Sequence, residues 1–413
     1  MTRRTISILM LTTNYWPEPT GIGVYTTDMC ESFIGNGHKV TVLTGLPHYP
    51  WWRVPEEHSH LVEGLSKYGN VSVIRSKHLV PARINALIRI RFETSLWWNL
   101  RRVSKSTLGP DFDVVIGCIP SVAAGLVGLK IAKKIGVPFG LIVQDLSGVG
   151  AKQSGLKGGA LISKIAHSVE GRALHGANKL VVVSPEMRDV VVQLGIEPNR
   201  VTLINNYSAR EIHAVDKAFA RERLGWASED FVVVHTGNMG AKQDLENVVN
   251  AAGMFSTSSR VRIFLVGHGN QEANLKASCQ GKDNISVLPA VADWDYSALL
   301  SAADLLLVNE RSTQMEMSLP SKLTSYLYSG RAVLAAVPRG GATWKFLEGI
   351  AELVDAGDPA LLAHAIEDLS RNPEKRLNLA SRGLEFARAH LDPKIGREKY
   401  LDWVENLIES KHG

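Results

Sequence analysis

The chain has 413 residues, 45% of them hydrophobic and 21% charged, with a formal net charge of +5. That length exceeds what one hydrophobic core organises, so two domains are expected, and the balanced composition excludes a disordered or fibrous protein. The cysteines Cys30, Cys118 and Cys279 are odd in number and far apart, which excludes a disulfide framework or a zinc site and fits a reducing compartment.

The N-terminal run is basic and then apolar, but it is short, lacks a small-residue cleavage site and leads straight into Pro17. It reads as a first strand, Ile6 to Leu11, rather than a signal peptide. Its loop carries Pro17, Pro19, Gly21 and Gly23, and a helix is expected from about Val24 to Ile34. Lys39 to Leu43 is a second strand, followed by the long aromatic loop TGLPHYPWWRVP. Further strands are expected at 71–74, 113–117, 138–143, 180–183 and 201–204, with helices at 122–134 and about 185–194. Val114 to Ala132 comes nearest to a membrane span, but Pro120 and its glycines break it into strand, loop and helix.

Residues 206–229 are polar and irregular and read as a linker. A second alternating series begins at FVVVHTGNMGAKQDLENVVNAA. Phe231 to His235 is apolar and β-branched, as a buried parallel strand is. Thr236 to Gln243 is a loop with Gly237 and Gly240. From Asp244, expected as the cap, Leu245, Val248, Val249 and Ala252 recur at helical spacing. A strand that turns through glycines into a helix start suits an anion, because the first helical N–H groups lack internal partners and Lys242 adds a full charge. The plain alternative is an ordinary βα loop. Strands are expected next at 261–266, 285–288, 304–308 and 332–336. Strands alternating with helices imply two doubly wound parallel sheets in tandem, each of α/β class. The loops leaving their C-terminal ends would face a shared cleft.

Charge is unevenly spread. Between Arg75 and Lys105 lie eight basic residues and one acid, Glu93. On a helical wheel Ile84, Leu87, Ile88, Phe92 and Trp98 form an apolar stripe, while Arg83, Ile90, Trp97 and Arg101 share a separate face. Tryptophan and isoleucine among arginines suit contact with an anionic bilayer. With basicity confined to one patch, nucleic-acid binding is not expected.

The segments GNMGAKQDLENVVNAA, LVGHGNQ, YSALLSAADLLLVNE, SLPSKLTSYLYSGRAVLAAV and AELVDAGDPALLAHAIEDL resemble, in that order, the second domain of family 4 retaining glycosyltransferases of the GT-B fold. TNYWPEPTGIGVYTTDM and TGLPHYPWWRVP look like the branch associated with colanic acid biosynthesis. The resemblance covers nearly the whole chain. It implies an acceptor-binding Rossmann-like domain at 1–205, a nucleotide-sugar-binding Rossmann-like domain at 230–390, and a last helix within 391–413 that packs back on the first domain. It further implies transfer with retention, no cofactor and no obligatory metal. A UDP- or GDP-sugar would be co-substrate and a lipid-linked glycan the acceptor, at the cytoplasmic face of the plasma membrane.

By that resemblance Gly237, Asn238, Gly240, Lys242 and Gln243 match the phosphate-contact loop, with Lys242 the cation that stabilises charge on the departing diphosphate. Gly21 and Gly23 match a glycine loop reaching the diphosphate from the first domain. Asp145, beside Gln144, stands where relatives place a group near the reacting sugar. The family's paired glutamates are replaced by Met317 and Ser325, with Glu316 one residue off. Ser321 and Lys322 open that helix instead and are candidates for ribose or phosphate contacts, with Glu310 as a further donor contact and Gly267 near the nucleobase. His48, Tyr49 and Trp51 offer ring faces to an acceptor sugar. The other classes consistent with the sequence are a GT-B epimerase or phosphorylase, and a catalytically inactive nucleotide-sugar- or glycan-binding assembly subunit.

Overall fold

The computed structural model describes all residues except 1–3, 20, 62, 82–85, 104, 110, 147–158, 209–211, 292, 314–318 and 410–413. The chain separates into two compact units: Met1–Asn205 together with Lys394–Gly413, and Asn206–Pro393.

The first unit is built on an eight-stranded sheet of order β3-β4-β2-β1-β5-β6-β7-β8. Its strands are β1 (Ser7–Leu11), β2 (Lys39–Gly45), β3 (Gly64–Tyr68), β4 (Val71–Ser76), β5 (Val114–Ile119), β6 (Phe139–Val143), β7 (Lys179–Val182) and β8 (Val201–Leu203). All neighbours pair in parallel except β3 and β4. The central strands are continuous apolar runs because helices cover both faces. β3, with the sequence GLSKY, alternates between half-buried and exposed positions, as an edge strand does; it has no apolar run to betray it. The helices are α1 (Ile22–Gly35), α2 (Ala86–Leu100), α3 (Lys105–Leu108), α4 (Val122–Ile135), α5 (Gly159–Gly176) and α6 (Pro185–Gln193).

The second unit carries a six-stranded, all-parallel sheet of order β11-β10-β9-β12-β13-β14. These strands are β9 (Phe231–Asn238), β10 (Val261–His268), β11 (Ile285–Leu288), β12 (Leu305–Asn309), β13 (Ala332–Val337) and β14 (Glu352–Asp355). Its helices are α7 (Lys217–Leu224), α8 (Leu245–Ala252), α9 (Glu272–Ser278), α10 (Asp293–Ala302), α11 (Lys322–Tyr328), α12 (Ala342–Leu347), α13 (Pro359–Arg371) and α14 (Pro373–His390). Val233 packs with Val248 and Ile366 on one face of this sheet, and Val232 and Val234 pack with Leu323 and Tyr326 on the other. The period-two alternation of the strand thus feeds two cores.

The segment read as a linker is not free of the second unit. Within it α7 buries Ala220 against Ala298 and Ala302 of α10. Arg221, only 4% exposed, donates to Asp304 and to the carbonyls of Ala302, Ala227 and Ser228. A polar helix whose partners lie some eighty residues away carries no signal in its own sequence. The last helix, α15 (Pro393–Glu409), joins the first unit and buries Tyr400, Trp403, Val404 and Leu407. Gly140 of β6 makes room for it: a Cβ there would lie 2.5 Å from Leu407 and Trp403 side-chain atoms. Arg397 clamps Asp28 of α1 with two hydrogen bonds, of 3.1 and 2.5 Å.

Candidate functional site

In the second sheet the order reverses between β9 and β12, so the loops leaving their C-terminal ends diverge and open a crevice. The loop after β9 is folded onto itself. Gln243 N–H donates to the Gly240 carbonyl at 3.1 Å, and Gly240 N–H donates to Gln243 Oε1 at 3.2 Å. Asn309, at the end of β12 and 1% exposed, fastens this loop from below. Its Nδ2 donates to the carbonyls of Gln243 (2.8 Å) and Asp244 (3.0 Å), and its Oδ1 accepts from Asn247 (2.9 Å). Arg311 N–H donates to the Lys242 carbonyl at 2.9 Å. Asp244 does not cap α8 as expected. Its backbone is left-handed, φ 45° and ψ 49°, and its side chain makes no capping bond; a capping residue needs a more extended backbone.

Two glycines let the strand ends meet. Gly237 has φ 108° and Gly267 has φ 152°. The two are directly paired across β9 and β10, and a Cβ on Gly267 would sit 1.9 Å from the Gly237 carbonyl oxygen. Gly267 is therefore required by backbone approach, whatever else it does. Asn238 is exposed at the strand end.

A small cavity of about 50 Å³ brings together Lys242, Gln243, Asn309, Glu310 and Lys322 with Val308 and Pro320. Glu310 is 9% exposed and its Oε1 accepts from the Thr343 hydroxyl at 2.7 Å. Lys322 opens α11, half-buried as a residue but with its amine packed inside: Nζ lies 2.9 Å from His235 Nε2. Burial pushes its ammonium down to about 7, with Glu310 pulling the other way. Ser321 precedes it, exposed and without a capping bond. Glu316 and Met317 lie outside the described residues, and Ser325 is buried in α11. The sequence reading missed His235, Asn309 and Asn247. His235 sits in an apolar strand run, and neither asparagine has a local motif; only their distant partners give them a role.

In the first unit the glycine loop and the aromatic loop are joined by Glu18. This carboxylate is 4% exposed. Its Oε1 accepts from the backbone N–H of His48 (2.8 Å) and Tyr49 (2.9 Å), and Oε2 accepts from Asn14 Nδ2 at 2.6 Å. Burial raises its pKa to about 7, against the backbone bonds that lower it. Gly21 has φ 67°, and a Cβ there would meet the Tyr49 ring at 3.1 Å. Gly23 lies against Glu18 in the same way. His48 is a correction to the expectation of an acceptor-facing ring. It is 2% exposed, packed among Trp52, His78 and Phe92, and burial pushes its pKa down to about 4. Tyr49 and Trp51 remain half-buried. Asp145 follows β6, and its Oδ1 accepts from Leu146 N–H at 2.8 Å.

The basic stretch is redistributed. Arg75 is 2% exposed and donates to the Trp16 carbonyl and to Ser66, so it belongs to the core rather than to a surface patch. Among the described side chains of α2 the buried ones are Phe92, Leu96 and Leu100. Trp98, expected on that stripe, is 43% exposed beside Ile90 at 43%, whereas Trp97 is half-buried. The outer face thus holds Ile90, Arg91, Trp98, Arg101 and Arg102. Arg101 stacks 4.6 Å from both Trp97 and Trp98, and Arg102 lies 4.5 Å from Trp98. Arg83 lies outside the described residues. Among the described residues no helix is long and apolar enough to cross a membrane.

Comparison with known proteins follows the same division. Residues 20–207 match the family described as glycosyl transferase 4-like domain, and residues 216–386 match glycosyl transferases group 1. The colanic acid biosynthesis glycosyl transferase WcaI of Escherichia coli K12 is 30% identical over 347 residues, which are 80% of this chain and 83% of that protein. Among solved structures, the sucrose-phosphate synthase of Thermosynechococcus elongatus superposes with a TM-score of 0.77 at 17% identity, covering 98% of this chain and 100% of that one. Anabaena Alr3699/HepE, solved in complex with UDP-glucose, gives 0.66 at 16% identity, covering 97% and 100%. The shared fold is GT-B.

Proposed function

Because the chain belongs to the glycosyltransferases, with a 4-like domain followed by a group 1 domain, we propose that it moves a sugar from a nucleoside diphosphate sugar to a glycan acceptor with retention at the anomeric carbon. The observation that carries this reading is the cavity at the β9/β12 crevice, where Lys242 and Lys322 converge over a loop locked by Asn309. Charge builds on the β-phosphate as the glycosidic bond breaks. Preplaced cations aimed at it stabilise the transition state more than the ground state, and losing one such interaction typically costs ~3 kcal/mol. Two lysines can supply the charge that a divalent ion supplies elsewhere. Gly237, Asn238, Gly240 and Gln243 would let the diphosphate approach, with Ser321 and Glu310 near the ribose and Gly267 near the base. Asp145 is the proposed partner of the sugar as positive charge develops on it.

A UDP-sugar is the first donor to test, since HepE was solved with UDP-glucose, and a GDP-sugar the second. The likeness to WcaI supports a role in cell-surface polysaccharide assembly. The acceptor would then be lipid-linked and the enzyme peripheral on the cytoplasmic face of the membrane, held by the Trp98 face of α2. Tyr49 and Trp51 are proposed to meet the acceptor.

A thermal-shift screen against UDP-, GDP-, ADP- and dTDP-sugars tests the donor, because a ligand bound to the native state raises the midpoint. Turnover in Lys242→Ala, with folding intact, should fall a hundredfold or more by the ~3 kcal/mol above. Unchanged turnover removes Lys242 from the mechanism. The absence of a carboxylate at Ser325 favours a second reading, a non-catalytic sugar-nucleotide-binding subunit. Donor binding without turnover, across a panel of acceptors, selects it.

A further inference from the structure

His235 and Lys322 make an unusual pair. His235 is fully buried in β9, and its Nδ1 lies 3.0 Å from the Leu307 carbonyl. A carbonyl only accepts, so Nδ1 carries the ring proton and Nε2 offers its lone pair. The Lys322 ammonium donates to that lone pair at 2.9 Å. The ring is held neutral, because burial and then the adjacent lysine push its pKa well below the ordinary value. Lys322 also lies near the backbone of Gly237: a Cβ there would be 3.7 Å from its Cε. Two other charged groups line the same cavity, Glu310 beyond β12 and Lys242 from the β9 loop. Among the described residues no ion pair ties Lys322 to a carboxylate.

We infer that His235 is a positioning residue for Lys322 and that it makes diphosphate binding proton-linked: the lysine, seated on an uncharged ring, takes up one proton as a nucleoside diphosphate enters this cavity. The inference rests on reading this cavity as the diphosphate site. A buried amine hydrogen-bonded to a neutral ring holds its charge weakly: burial has brought its pKa to about 7 even though Glu310, in the same cavity, pulls the other way. An incoming diphosphate places negative charge against it and favours the ammonium. The proton comes from solvent to Nζ, and no bond in the ligand changes. Between the free and the bound pKa, uptake of one proton makes affinity fall about tenfold for each pH unit of rise.

The experiment is calorimetric titration of the full chain with UDP, and in parallel GDP, from pH 7.5 to 9 in two buffers of different protonation enthalpy. The terminal phosphate of the nucleotide, with a pKa of about 6, no longer titrates there. Uptake is expected to approach one proton per nucleotide, with Kd rising up to about tenfold per pH unit. Lys322→Arg, charged throughout this range, should still bind and should take up no proton. His235→Phe removes the acceptor and should move the onset of uptake to lower pH, while His235→Gln, which restores an amide oxygen, should move it back. Binding without uptake in the native protein, or uptake unchanged in Lys322→Arg, overturns the inference and leaves the site assignment standing. Failure of both nucleotides to bind overturns the site assignment itself. Should Lys322→Arg not fold, the two-buffer measurement on the native chain and the His235 pair decide the matter alone.

Discussion

Asn247 donates its side-chain amide to Oδ1 of Asn309 at 2.9 Å, 62 residues along the chain, with both residues buried. The pair fixes the orientation of the Asn309 amide, whose other end holds the carbonyls of Gln243 and Asp244. Replacing Asn309 by Ala strands a buried donor and two carbonyls. It should lower stability by ~1–3 kcal/mol, read as a depressed midpoint. It should also loosen Lys242, so KM for the donor should rise in steady-state kinetics. Asn309→Asp sets a carboxylate against two carbonyls and should be worse on both counts.

Lys322→Met should be more stable than the native protein near neutral pH. The folded pKa of this lysine, about 7, lies below the ordinary ~10.4. The native fold therefore binds fewer protons than the unfolded chain between those values, and its stability rises with pH across that window. The methionine variant lacks this dependence. Its advantage should be largest at pH 6–7 and shrink toward pH 10 in melting curves, alongside loss of donor affinity. An equal difference at every pH would show that the amine is not held as described.

Glu18 should have the opposite slope. Burial raises its folded pKa to about 7, above the ordinary ~4.3. Its favourable contribution is then complete below about pH 4.3 and lost as pH climbs through 7. Glu18→Gln should flatten the decline of first-unit stability between pH 5 and 7 in denaturant titrations compared with the native chain. The test is the difference between the two proteins at each pH, since other carboxylates cancel.

Trp98→Ala combined with Arg102→Ala should abolish co-sedimentation with vesicles rich in anionic lipid, while Trp97→Ala alone should weaken it less. The reason is exposure: Trp98 is 43% exposed and Trp97 is half-buried. Binding should fall as salt is added, with the screening length shrinking to about 8 Å at physiological ionic strength. Equal binding to neutral vesicles would remove the electrostatic part.

The alternation of apolar strands with helices was legible along most of the chain, because a strand buried on both faces advertises itself as a continuous apolar run. Phe231–His235 and Leu305–Val308 are of that kind, and so the loop between β9 and α8, which carries Lys242, could be placed at a strand end. The edge strand Gly64–Tyr68 has no such run. The helical face of α2 was misplaced because Trp97 and Trp98 differ by about 100° on the wheel, and only packing of Leu96 and Leu100 sets the phase. Charge counting could not see that Arg75 is a core residue, since its partners Trp16 and Ser66 are made neighbours by the sheet. His235 was read as one more strand residue; its chemistry exists only beside Lys322, 87 positions later.

The return of Pro393–Glu409 to the first unit has a temporal side. On a ribosome, everything from Asn206 to Pro393 must be translated before the helix that seals Gly140 and clamps Asp28 emerges. At about 5–20 residues per second this is a delay on the order of ten seconds or more. For that interval the surface at Gly140 that Trp403 and Leu407 cover has no partner, so the unit synthesised first is completed only after the second has been made.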